Sequence, residues 1–121
     1  MKRLALTLGA ISLVAFAAAA DPLTPAQKAF AAIKKLKGTW QEGKGKESFQ
    51  VIYKVTGGGA TVIETQMPNT AMEMVTVYHM DGPDTLMLTH YCAAMNQPVM
   101  KYVTGNSAKD FRFEFVSGTN M

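Results

Sequence analysis

Residues 72–100 constrain the fold more than any other stretch. They read MEMVTVYHMDGPDTLMLTHYCAAMNQPVM, two runs rich in Val, Thr and Tyr on either side of Asp81-Gly82-Pro83-Asp84. Alternating runs around a Gly-Pro turn predict a β-hairpin. A symmetric turn places Glu73, Val75, Val77 and His79 opposite Cys92, His90, Leu88 and Leu86 on one surface. Met72, Met74, Thr76, Tyr78 and Met80 then share the other with Thr85, Met87, Thr89 and Tyr91. Both surfaces are largely apolar, unlike a hairpin with one face in water. One face is therefore expected to line an enclosed sheet, and the other to need a cover, a partner or a ligand.

The remaining segments extend the hairpin into a meander. Thr24-Pro25-Ala26-Gln27 carries a capping residue, a first-turn proline and a glutamine that completes a capping box. A helix over about 25–37 follows, with Phe30, Ile33 and Leu36 on one face, late lysines suited to its negative end, and Gly38 as the stop. Strands are expected over 39–43, 48–56, 60–67, the two arms of the hairpin, 99–104 and 110–117. In the second, Phe49, Val51, Tyr53 and Val55 share a side; in the last, Phe111, Phe113 and Phe115 do. Gly57-Gly58-Gly59 is a turn by composition and lacks the spacing of a phosphate loop. The 93–98 stretch is expected to be a polar connection.

The fold class is mainly all-β: an antiparallel up-and-down barrel with one N-terminal helix, because short connections keep sequence neighbours adjacent and closure removes edges. Closure is left open by the strand count. Either the barrel closes imperfectly, or the chain dimerises, or further strands follow Met121.

Residues 1–20 have the form of a cleaved signal peptide: Lys2-Arg3, an apolar core and Ala18-Ala19-Ala20 before Asp21. Residues 21–121 then form one domain, delivered to the periplasm or secreted. The formal net charge of +3 includes Lys2 and Arg3, and removing both leaves +1. Such a chain has no electrostatic reason to bind nucleic acid or anionic lipid. After the leader no apolar run is long enough to span a membrane. Cys92 is the single cysteine, which excludes an internal disulfide.

Two places resemble known families. Gly38-Thr39-Trp40, after a short helix, resembles the Gly-x-Trp opening of lipocalin-like (calycin) barrels. The resemblance implies that Trp40 packs across the closed end of a barrel. Residues 73–79, Leu88-Thr89-His90-Tyr91-Cys92 and Asn96-Gln97-Pro98 resemble, in the same order, a family of uncharacterised exported bacterial proteins. That likeness implies a barrel and an exported location, with later strands beyond the point matching residues 118–120. It implies no reaction.

The chemistry-bearing candidates are Glu73, His90 and Cys92. They would suit zinc or a similar ion, or a thiol activated by His90 with Glu73 as orienter. They lack tight ligand spacing and an evident oxyanion donor, so a hydrogen-bonded histidine with a packed cysteine is the plainer account. Met67, Met72, Met74, Met80, Met87, Met95 and Met100 suggest core filling, a pliable ligand surface or copper(I) ligation. His79 or His90 could ligate haem, although no Cys-x-x-Cys-His site is present. No metal or cofactor is assigned.

The expectation that follows is non-enzymatic binding of a small apolar or amphipathic molecule inside the barrel. Phe49, Val51, Tyr53, Glu64, Val75, Val77, Leu88, His90 and Phe113 are the expected lining. The alternatives are an interaction protein that homodimerises through an apolar sheet face, and a thiol/histidine enzyme or metal-binding protein.

Overall fold

The computed structural model describes residues 20–45, 48–105 and 110–121. The expected signal peptide lies almost wholly outside the described residues. Among the described residues, seven antiparallel strands form one up-and-down sheet in the order β1 to β7, joined to a single α-helix. The strands are β1 (Gly38–Glu42), β2 (Phe49–Thr56), β3 (Thr61–Gln66), β4 (Met74–Met80), β5 (Leu86–Tyr91), β6 (Gln97–Thr104) and β7 (Phe111–Thr119). The sheet is open: β1 and β7 each pair on one side only. This is an incomplete, barrel-like all-β fold.

Helix α1 (Pro25–Lys35) begins as its sequence dictates. The Thr24 hydroxyl accepts from the Gln27 N–H, and the Gln27 side chain accepts from the Thr24 N–H at 2.9 Å. The same Thr24 hydroxyl donates to the Pro83 carbonyl at 2.6 Å, tying the helix start to the β4–β5 turn. Ala26, Ala29, Phe30 and Ile33 are buried against Val62 and Leu86, which are the two fully enclosed side chains of the sheet. The Lys34 ammonium lies over the Phe30 ring, 4.8 Å from its centroid.

The face beneath the helix is set by the strand registers. Tyr53 faces Glu64, Glu64 faces Thr76 and Thr76 faces His90. One row further, Val55, Val62, Tyr78, Leu88, Met100 and Phe115 are aligned. Directly paired residues point to the same side of a sheet, so these two rows belong to the inner, helix-covered face.

The β4–β5 hairpin corrects the symmetric turn expected from the sequence. Met80 pairs with Leu86 and Val75 with Tyr91, leaving a five-residue connection closed by the Asp81 N–H and the Thr85 carbonyl at 2.8 Å. An odd connection shifts the register by one residue, and a one-residue shift transfers every side chain of one arm to the opposite face. Thr76, Tyr78 and Met80 therefore accompany Leu88 and His90 inside. Val75, Val77 and His79 lie outside, with Tyr91, Thr89 and Met87.

One smaller difference and one expected turn have local causes. Residues 97 and 98 belong to β6, where Gln97 pairs with Thr119 and Pro98 with Gly118. The β5 ladder engages only Val99–Lys101 of β6, so the missing N–H of Pro98 forfeits no bond to β5. The connection Gly57–Gly59 is a short 3₁₀ turn with all three φ angles positive, which only glycine adopts without a steric cost.

Candidate functional site

The inner face gathers its polar groups at one place. Glu64 in β3 and Thr76 in β4 are the two buried polar side chains among the described residues, 6% and 4% exposed. Glu64 accepts from the Tyr78 hydroxyl at 2.5 Å on one carboxylate oxygen and from the Gln66 amide at 2.5 Å on the other. Thr76 shares a 2.9 Å hydrogen bond with Nδ1 of His90. No buried side-chain nitrogen or oxygen among the described residues lacks a partner. A carboxylate removed from water needs donors of this kind, and the strand pattern delivers them from β3 and β4 together.

The charge of Glu64 is felt by both neighbouring tyrosines. Burial, then the Glu64 charge, pushes the Tyr53 hydroxyl up to about 12. Tyr78 is raised further, by deeper burial first and then by its hydrogen bond to Glu64. Both phenols are thus held in the protonated form through the physiological range.

Beside this cluster lies a cavity of about 140 Å³ lined by Ile33, Leu36, Tyr53, Tyr78, Phe111 and Phe113. It sits between the end of α1 and the curled sheet. A second hollow of about 290 Å³ lies along Trp40, Gln41, Glu42, Phe49 and Val51. Trp40 pairs with Val51, one row from Tyr53, so this hollow borders the same inner face. The Trp40 indole donates to the Leu36 carbonyl at 2.6 Å, pinning β1 to the helix end, while its ring remains 53% exposed. It braces the helix terminus and is open to solvent, not sealed beneath a closed barrel.

Compared with known proteins, the chain matches no family model, no curated protein and no solved structure.

The structure distributes the expected lining residues unevenly. Phe49, Val51, Tyr53, Glu64, Leu88, His90 and Phe113 fall on the inner face by register; Val75 and Val77 fall on the outer face, displaced by the one-residue shift. Glu73, His90 and Cys92 do not converge. The Glu73 carboxylate accepts from the Asn69 N–H at 2.6 Å, steadying a loop in which Met67 and Asn69 adopt positive φ. Cys92 lies in the β5–β6 turn, where its sulfur accepts from the Ala94 N–H at 3.4 Å. Among the described residues no group of three His, Cys, Asp or Glu side chains is placed to hold a metal ion.

The methionines divide in the same way. Met74, Met80 and Met100 are inner, Met87 is outer, and Met72 and Met95 are exposed in loops. They do not form one thioether site. His79 is exposed on the outer face opposite Met87 and Thr61. Gln97 uses its side-chain oxygen to accept from Thr119 and Asn120, binding β6 to the end of β7 and the residue after it rather than offering an amide over the inner face.

Sequence reasoning missed Tyr78, Thr76 and Gln66. The symmetric turn puts Thr76 and Tyr78 on the face away from Leu88 and His90, and alternation in β3 does not single out Gln66. Their signal was the row of polar residues at two-residue spacing, Glu64-x-Gln66 and Thr76-x-Tyr78, which only the correct register brings together.

Proposed function

We propose that the inner face of the sheet binds a small apolar or amphipathic molecule without transforming it. The observation that carries this reading is the buried Glu64–Tyr78–Gln66 cluster set into an apolar, helix-capped face beside open space. Ligand sites are mostly apolar with few convergent polar groups. Phe49, Val51, Leu88 and Phe113 supply area, while Glu64, Tyr53 and Tyr78 supply orientation. The candidates for covalent chemistry are otherwise engaged, Glu73 in a loop and His90 with Thr76. Export to the periplasm or medium, the lipocalin-like resemblance and a scavenging or carrier role are mutually consistent parts of this reading.

Displacement of the neutral apolar dye N-phenyl-1-naphthylamine tests it, with Trp40 as an internal reporter. Saturable binding of one dye per chain, weakened by Phe49→Asp, a lining position exposed enough for the chain to stay folded, is the expected result. Linear, non-saturating fluorescence contradicts the proposal.

A second reading has its own observation. Trp40, Phe49, Phe111, Phe115 and Val116 are exposed along the two edges of the open sheet, which suits a homodimer. Sedimentation across a hundredfold concentration range separates the two readings: a dimer that excludes the dye favours the second.

A further inference from the structure

We propose that the group seated in the inner-face cavity is an organic ammonium carried on an apolar body; this rests on the binding role above and names its ligand class. Four aromatic rings, Tyr53, Tyr78, Phe111 and Phe113, border the cavity with Ile33 and Leu36. Ring faces attract cations, most strongly where water is excluded. Behind Tyr78 stands the Glu64 carboxylate, buried and satisfied by two neutral donors.

The direction of the hydrogen bond matters. Tyr78 donates its only hydroxyl proton to Glu64, so its phenol oxygen has lone pairs alone left for a ligand. That surface accepts an N–H or a diffuse positive charge and repels an anion. Among the described residues the sole ion pair is Arg112–Glu114, exposed on β7, and no lysine or arginine pairs with Glu64. His90, two strands away in the same row, is bonded through Nδ1 to Thr76. Leu36, the C-terminal cap of α1, also borders the cavity and brings the negative end of the helix dipole to it. Lys34 lies over Phe30, and Lys35 and Lys37 are exposed, where solvent screens them.

Size fits a head group rather than a whole ligand. A space of about 140 Å³ is close to the ~150 Å³ that holds one benzene. The apolar remainder of the molecule would run along the inner face toward the hollow at Trp40, Phe49 and Val51.

Three probes of equal chain length decide the matter on the purified chain: octyltrimethylammonium, 1-octanol and octanoate, each competing with N-phenyl-1-naphthylamine. The ammonium is expected to compete at least tenfold more tightly than either of the others. Glu64→Gln, with its fold checked by circular dichroism, should bring the ratio of ammonium to octanol affinity down to about one. Phe111→Leu, at an exposed edge position, should lower the same ammonium-to-octanol ratio several-fold, which keeps the test open if Glu64→Gln fails to fold. Octanol competing as well as the ammonium overturns the charge preference while the binding role stands. Failure of all three to compete overturns both.

Discussion

The rings of Tyr78 on β4 and Phe113 on β7 lie 6.0 Å apart, centroid to centroid, tilted at 59°. Their strands are three spacings apart in the sheet, which is about 14 Å at roughly 4.8 Å per strand in a flat layer. The sheet therefore curls strongly toward the helix, and β7 swings over the inner face. Tyr102 completes the contact by meeting Phe113 edge-on at 5.8 Å. The same curl brings Tyr53 of β2 and Phe113 of β7 to the walls of one cavity.

Phe113→Ala should therefore cost more than its position on an edge strand suggests. Full burial of phenylalanine is lost at ~3–5 kcal/mol, and Phe113 is half-buried, so about 2 kcal/mol is expected in urea unfolding. A change below about 0.5 kcal/mol would mean that β7 does not fold over the inner face.

The register of the β4–β5 hairpin can be checked by paired substitutions. Leu88 is buried inside and Val77 lies on the outer face. Leu88→Asp should abolish the cooperative unfolding transition, because it places an unpaired charge in the core. Val77→Thr should cost about 1 kcal/mol or less. Equal sensitivity at the two sites would restore the symmetric turn.

Alkaline pH should destabilise the fold in a defined window. Below pH 10 the Tyr53 and Tyr78 hydroxyls are protonated in both folded and unfolded chains. Above it the unfolded chain releases its protons first, because folding has raised Tyr53 to about 12 and Tyr78 beyond that. Stability from these groups is thus complete below pH 10 and is lost as pH climbs through about 12. Unfolding midpoints measured between pH 8 and 12 should fall in that upper interval, and Tyr53→Phe should make the decline shallower. An unchanged slope in that variant contradicts the placement of Tyr53 beside Glu64.

Loss of the Thr24 hydroxyl should loosen the helix at both of its attachments. Thr24→Ala removes the cap to Gln27 and the 2.6 Å bond to Pro83. Capping alone is worth about 1 kcal/mol, and the second bond adds about as much. Thr24→Ser should retain most of both. Equal loss in the two variants would assign the effect to the methyl group instead.

The helix, its capping box and the order of the strands were legible in the sequence because each has a local cause: Thr24 and Gln27 at capping spacing, Gly57-Gly58-Gly59 at a turn, alternation in every strand. The inner side of β2 was legible too, since Phe49, Val51 and Tyr53 alternate strictly. What the sequence concealed was register. Thr76, Tyr78 and Met80 are hardly less apolar as a set than Val75, Val77 and His79, so hydrophobic alternation chose neither side of β4. The five-residue turn and the contacts of Thr76 and Tyr78 with distant partners settled it. The Glu73–His90–Cys92 grouping failed for the same reason, having been built on the slipped register.

The central claim is that a small molecule binds on the inner face and nowhere else on the sheet. The most direct measurement is a heteronuclear NMR titration of the labelled chain with N-phenyl-1-naphthylamine. Shifts should alternate along β4, large at Thr76 and Tyr78 and small at Val75 and Val77, and should extend to Tyr53, Leu88 and Phe113. Saturating shifts confined to the outer row of Val75, Val77 and Thr89, or no saturating shifts at all, would contradict it.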